Sequence, residues 1–352
     1  MSSSDKIVLV NDERFRQELS KYTEKAEEYF ILADTNTTKH CFPVVMSAAP
    51  GIDPGRLITV DAGEEGKNIS TLHHIWSTLL HDGAGKNTLL LNLGGGMISD
   101  IGGFAAATYK RGIPYLNIPT SLLGMVDAAI GGKTAINIGG IKNQAGTFWR
   151  AEAVIIYPPF LASLDEDELL SGKAEMLKTA IVADRPLFDE LSVMKQDIPS
   201  GDMIKRTAMI KNNIVMQDLY DRAERQCLNY GHSIGHALEA LCQLRGKAVK
   251  HGLAVAAGIL CEAYIATKMN ILQDPAFRII EKYINATFPP LHLMKEDIKD
   301  MLLLVGHDKK NYGGAIRMSL PSGLGKCTFG IAVEDTLISE SLEYYATCQP
   351  SP

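Results

Sequence analysis

No run of apolar residues in this chain is long enough to cross a bilayer, which excludes a helical membrane span as its organising element. The start, MSSSDKIVLVNDERF, lacks the apolar core and cleavage site of a secretory leader, so a soluble cytoplasmic protein is expected. Cysteine is sparse. The six residues, at 41, 227, 242, 261, 327 and 348, form no CxxC pair, which argues for reduced thiols and against a zinc ribbon or disulfide frame. There is no excess of positive charge: 35 basic against 41 acidic side chains give a formal charge of −6, which excludes a general nucleic-acid binder but leaves room for a local anion site. Internal repeats, low-complexity tracts and an obvious linker are all missing.

What is present is apolar material in abundance. At 352 residues and 46% hydrophobic, the chain can bury large cores and is expected to form two domains. The first spans 1–160, where KIVLV, YFILAD, RLITVD, TLLLNLGGG and YLNIP read as strands between helical stretches such as LHHIWSTLLHD. Continuous apolar runs of this kind predict a parallel α/β sheet covered on both faces. The second domain, 161–352, is predicted to be mostly α-helical. It opens with Ser163 and Glu166 in capping-box spacing, and a late segment, IRMSLPSGLGKCTFGIAV, has strand character.

Twelve of the 31 glycines fall between 94 and 146. LGGGMISDIGGF follows a strand and precedes a helix, where glycines let backbone N–H groups approach a phosphate at the positive end of the helix. Neither nucleotide fingerprint is complete: Ser99 stands where the third glycine of GxGxxG belongs, and Asp127 where a P-loop before GGKT would begin. Charge strengthens the anion reading. From 101 to 150 five basic residues, Lys110, Arg111, Lys133, Lys142 and Arg150, face one acid, Asp127.

In NYGHSIGHALEA, helical geometry places His232, His236 and Glu239 on one narrow stripe, with Ile234, Leu238 and Leu241 opposite. An i, i+4 pair of imidazoles can reach one metal ion. His251 in KHGLAVAAG and Glu175 in GKAEMLK are further candidates, and spacing alone does not choose among them.

Taken together, GGGMISDIGGFAAATYKRG, PTSLLGMVDAAIGGKTAIN, KNQAGTFW, AEMLK, RQCLNYGHSIGHALEA, HGLAVAAG and DKKN resemble the 3-dehydroquinate synthase family of sugar-phosphate cyclases. The resemblance implies an N-terminal Rossmann-like NAD domain, a helical C-terminal metal domain and a homodimer with its site in the cleft. It implies Glu175, His232 and His251 as ligands of Zn2+ (or Co2+), and gives His236 to substrate phosphate. Asp34, Asn36, Glu64 and Lys67 match adenosine- and ribose-side contacts to NAD, Gly94, Gly95, Gly96 and Asp100 the pyrophosphate loop, and Thr120 and Ser121 the nicotinamide half. Asp127, Lys133, Lys142, Asn143, Lys178, Lys211, Arg225 and Asn229 match the cradle for a phosphorylated sugar acid, with Lys133 and Lys142 also reaching the cofactor side. Arg111 matches an arginine that crosses the dimer interface, and Lys309, in preference to Lys310, matches the lysine that closes over phosphate.

Three positions depart from the family pattern: Asp221 in place of glutamate, Leu253 in place of the glutamate of HGEAV, and Ser99. The implied reaction converts 3-deoxy-D-arabino-heptulosonate 7-phosphate to 3-dehydroquinate and phosphate. Its rivals are an aminodehydroquinate synthase and a metal-dependent polyol dehydrogenase of the glycerol dehydrogenase type.

Overall fold

The five apolar runs read as strands all form strands, because each can be covered on both faces: β1 (Ile7–Leu9), β2 (Tyr29–Asp34), β3 (Leu57–Val60), β4 (Leu89–Gly94) and β5 (Tyr115–Pro119). A hairpin, β6 (Lys133–Ile138) and β7 (Ile141–Phe148), and a short β8 (Ala153–Ile156) follow. The computed structural model describes residues 6–139, 141–306 and 316–348. Within them, six strands form one wholly parallel sheet in the order β1-β8-β5-β4-β2-β3. Every residue of β4, β5 and β8 is buried.

Helices α1 (Asp12–Thr23), α2 (Thr35–His40), α3 (Phe42–Ala48), α4 (Ile69–His81) and α5 (Gly96–Thr108) connect these strands. Leu72, Ile75 and Leu79 give α4 its apolar stripe and join Ile98 and Ile101 of α5 over the sheet. The chain runs outward from β2 to β3, then returns across β2 to β4. The connections leaving the carboxyl ends of β2 and β4 therefore run in opposite directions, and it is at such a switch point that doubly wound sheets bind ligands.

Close packing at that point depends on glycine. A Cβ on Gly94 would lie 2.5 Å from Ile98, one on Gly102 would lie 2.1 Å from the Asn92 side chain, and one on Gly103 would lie 2.5 Å from Thr134. Gly102 and Gly103 thus allow the tight helix–strand approach expected of a third fingerprint glycine, while Ser99 turns its hydroxyl back onto the Gly95 carbonyl at 3.1 Å.

The chain divides into two compact units: the first takes the residues up to Asp165 together with Ser200–Met216, the second takes Glu166–Pro199 and the residues from Gln217 onward. α6 (Glu166–Ala183) and α7 (Arg185–Val193) belong to the second unit, α8 (Gly201–Gln217) returns to the first, and α9 (His232–Leu244), α10 (His251–Lys268), α11 (Asp274–Thr287), α12 (Ile298–Gly306) and α13 (Asp335–Thr347) complete the second. The late strand-like segment is an antiparallel hairpin, β9 (Ile316–Gly323) with β10 (Lys326–Val333).

α10 is buried at all but four of its 18 residues, as a helix apolar all round must be. The capping box read from Ser163 and Glu166 takes another form: Ser163 ends a 3-10 turn and donates to the Phe160 carbonyl at 3.0 Å. All six cysteines are free, and among the described residues no helix is long and apolar enough to cross a membrane.

Gly102→Ala should overpack the α5–β4 contact and cost about 1–3 kcal/mol, read as a lowered unfolding midpoint with an unchanged denaturant slope.

Candidate active site

The first unit places its candidate residues at the carboxyl ends of the strands. Asp34 ends β2 and caps α2, accepting the Thr37 N–H at 2.8 Å, while Asn36 lies exposed in the first turn. Gly94 ends β4, and Gly95 and Gly96 start α5 with backbone N–H groups that no capping side chain occupies. Thr120 is bound to this loop through its N–H on the Gly94 carbonyl at 3.1 Å, and Ser121 stacks so tightly on Gly95 that a Cβ there would lie 3.1 Å from its hydroxyl.

Lys67, itself buried, is the centre of a polar network. Its ammonium donates to Asp100 and to the Asn143 side-chain amide oxygen Oδ1, both at 2.5 Å, with Glu64 3.8 Å away. Burial alone would lower the Lys67 pKa, but the Asp100 and Glu64 carboxylates outweigh it and hold it above the ordinary lysine value. Burial pushes the Asp100 carboxyl up, and the ammonium offsets this only in part. Asn137, which the sequence reading leaves unassigned, closes the network: its amide donates to Glu64 at 2.8 Å and its oxygen accepts the Asn143 N–H at 2.9 Å. The β6–β7 hairpin supplies both asparagines, with Asn143 in a left-handed turn at φ 53°.

Asp127, in a π-helical turn at Gly124–Ala128, pairs with Lys211 of α8 at 2.8 Å, and the same ammonium donates to the Asp127 carbonyl at 2.7 Å. Lys133 is exposed at the start of β6, and Lys142 is half-buried on β7. Arg111 is exposed and left-handed at φ 65°, after Lys110 at φ 48°. Two such residues in succession cost about 1–2 kcal/mol each. Trp149 fixes the turn by packing where a Gly112 Cβ would stand, 2.7 Å away.

In the second unit α6, α9 and α10 converge on one carboxylate. Glu175 has no exposed surface; one oxygen pairs with the ammonium of Lys178, one turn on, and the other lies 3.5 Å from His232 Nε2 and 3.4 Å from His251 Nε2. His236 is exposed on the same stripe of α9, and its imidazole, those of His232 and His251 bring ligand nitrogens within 4.8 Å of one another. The outer nitrogens are tied: His232 Nδ1 to the Tyr230 carbonyl at 3.1 Å, His251 Nδ1 to Glu239 at 3.2 Å. Each tie favours a proton on Nδ1 and aims Nε2 at Glu175, where it carries a proton toward the carboxylate or would offer its lone pair to a cation, the arrangement found behind metal-binding histidines. Burial opposes charge on His251, yet the bonds to Glu175 and Glu239 raise its pKa to about 9, so this cluster calls for a positive charge.

A tetrahedral ion with ligands at 2.0–2.2 Å separates them by about 3.3–3.6 Å, and both Glu175–histidine spacings fit. Glu239 shares the histidine stripe, a signal already in the sequence. Arg225 is buried, donates to the Leu219 carbonyl at 2.8 Å, and shares the 218–229 loop with half-buried Asn229. Lys309 and Lys310 lie outside the described residues.

Residues 57–171 match the 3-dehydroquinate synthase N-terminal family model, and residues 172–311 match the C-terminal one. Over 351 residues the chain is 39% identical to a 3-dehydroquinate synthase of Parabacteroides distasonis, covering 97% of this chain and 98% of the other. The chain belongs to the 3-dehydroquinate synthase family. Its activity is the family's phosphate-eliminating cyclisation, a lyase reaction of the shikimate pathway.

Among solved structures it is similar to a 2-epi-5-epi-valiolone synthase from Streptomyces hygroscopicus with NAD+ and Zn2+ bound (TM-score 0.85, 26% identity, 98% of each chain). It shares its fold with a 2-deoxy-scyllo-inosose synthase complexed with carbaglucose-6-phosphate, NAD+ and Co2+ (TM-score 0.84, 23% identity, 96% of each chain).

Lys67→Met should leave the half-buried Asp100 without its counter-charge and destabilise the first unit by about 1–3 kcal/mol, measured by denaturant unfolding. Glu239→Gln should weaken Zn2+ binding about 10- to 100-fold in a chelator competition, with the helical circular dichroism retained.

Proposed function

We propose that the chain converts 3-deoxy-D-arabino-heptulosonate 7-phosphate to 3-dehydroquinate and phosphate with one divalent cation held by Glu175, His232 and His251 and with NAD held at the β2–β4 switch. The observation that carries this reading is the buried Glu175 carboxylate with two oriented Nε2 atoms at 3.4 and 3.5 Å. When bound, the cation acidifies a substrate alcohol and the nicotinamide accepts and returns a hydride. Gly94–Gly96 present the α5 N-terminus to the pyrophosphate, with Asp34, Asn36, Glu64 and Lys67 on the adenosine side and Thr120 and Ser121 on the nicotinamide side.

The remaining side chains bind and orient. Lys133, Lys142, Asn143, His236, Lys309 and, from a second copy, Arg111 hold phosphate, so that it leaves as a paired anion. The exposure and backbone strain of Arg111 support a role at a homodimer interface. Lys211, Arg225 and Asn229 take the substrate carboxylate, with Asp127 keeping Lys211 oriented. Lys178 neutralises one Glu175 oxygen and leaves the other for the cation. Retaining two cations for a carboxylate favours this substrate over a sugar phosphate that lacks a carboxylate. Six free thiols support residence in the cytoplasm.

The test is to incubate the Zn2+-loaded protein and sub-stoichiometric NAD+ with the heptulosonate phosphate. Phosphate should be released over many turnovers with no net NADH; NADH in step with substrate would instead mark a polyol dehydrogenase. His251→Ala should lower kcat by about 10³-fold, equivalent to about 4 kcal/mol, while remaining folded. Lys211→Met and Arg225→Met should each raise KM about 10- to 100-fold with NAD+ affinity unchanged; equal losses of both affinities would remove the carboxylate assignment.

A further inference from the structure

Glu262 is a fully buried carboxylate that the reaction above does not use. It lies on α10 eleven residues after His251, three turns along the same face. Its Oε2 accepts the Gly231 N–H at 2.6 Å, and its Oε1 accepts the Ile234 N–H at 3.2 Å.

Both N–H groups belong to the start of α9. A helix start leaves several N–H groups without intrahelical partners, and Ser, Thr, Asp or Asn at the N-cap usually serves them. Here the N-cap is Gly231, left-handed at φ 79° and without a capping side chain. A longer residue is excluded there, because a Cβ would lie 2.6 Å from the Ile259 side chain and 3.1 Å from the Val255 carbonyl. The contact that brings the two helices together thus prevents α9 from capping itself, and the neighbouring helix supplies the acceptor.

We propose that Glu262 is a positioning residue for the metal site: by gripping the N-terminus of α9 from α10, it sets His232 against His251. His232 is the first residue of α9, between the two N–H groups that Glu262 holds. Its Nδ1 rests on the Tyr230 carbonyl, and the Tyr230 hydroxyl in turn donates to the Ile259 carbonyl at 2.8 Å.

Residues 230 to 234 are therefore all referenced to one turn of α10. The helices run antiparallel, with Gly231 against Gly258, Gly235 against Ala254 and Glu239 against His251. A slip of one residue, about 1.5 Å, would take the Glu175–histidine spacings outside the range one ion can share. The carboxylate also answers the positive end of α9, beside which a cation must be accommodated.

This inference rests on Glu175, His232 and His251 being the ligands. The full-length protein, stripped of metal, is titrated with Zn2+ against a chromophoric chelator, and the Co2+ absorption spectrum is recorded, for the parent chain, Glu262→Gln, Glu262→Asp and His251→Ala. Gln keeps the volume but turns an amide N–H toward a backbone N–H. Glu262→Gln should lose about 10- to 100-fold in Zn2+ affinity and change the Co2+ band intensity, while NAD+ affinity is unchanged. Glu262→Asp, which keeps the charge, should recover part of the loss.

Unchanged Zn2+ affinity and Co2+ spectrum in Glu262→Gln, with only a lower thermal midpoint, would reduce Glu262 to a core cap and overturn the proposal. A variant that folds only with Zn2+ present supports it; one that fails to fold with or without Zn2+ overturns it. The ligand set fails separately, if the parent chain and His251→Ala bind Zn2+ alike.

Discussion

A carboxylate with no exposed surface is costly unless positive charge stands beside it, and Glu175 sits in the middle of α6 in that condition. Lys178 answers one oxygen from the same helix, and the two imidazoles answer the other from α9 and α10. Three helices must therefore approach closely enough for short side chains to meet at one atom. Glycine makes that possible: a Cβ on Gly252 would lie 2.3 Å from the Ser171 carbonyl, and one on Gly258 would lie 2.0 Å from that of Gly231. The packing of the second unit and its chemistry are in this sense the same constraint. A proton on His251 or a divalent cation would answer the carboxylate oxygen that Lys178 leaves.

The first unit has its own charged centre, built on a sheet instead of on helices. Parallel strands deliver their carboxyl ends to one edge, and the change of direction between β3 and β4 puts the switch point of the sheet beside the β4–α5 turn. Around it, Lys67 joins residues from α5 and the β6–β7 hairpin, fixing Asp100 and Asn143 with a single ammonium. That network commits Lys67 to positioning as much as to direct contact with a ligand.

Much of this was legible in the sequence. Continuous apolar runs identify β1 to β5, because the central strands, buried on both faces, need no alternation. The glycine-rich turn after β4 was visible in LGGGMISDIGGF, whereas the close helix–strand packing at Gly102 and Gly103 emerges only in the fold. What stayed hidden is what depends on distant partners. Asn137 has no motif of its own and acquires a partner only when the hairpin folds Asn143 back on it. Glu262 reads as a lone acid in an apolar helix until Gly231, 31 residues earlier, is seen to need an acceptor. The return of α8 to the first unit likewise follows from the Lys211–Asp127 pair, which no local pattern announces.

The i, i+4 histidines show where spacing stops and environment begins. Helical periodicity establishes that His232 and His236 share a face, and it says nothing about which one binds metal. The structure separates them by their other partners. His232 has its outer nitrogen held on a backbone carbonyl and its inner nitrogen beside a buried carboxylate, whereas His236 is exposed. A histidine with a fixed tautomer and a desolvated lone pair suits a permanent ion; an exposed one can meet and release an anion as it is made and expelled. Equal spacing thus goes with unequal surroundings, even though His232, His236 and His251 all bring ring nitrogens within 4.8 Å of one another.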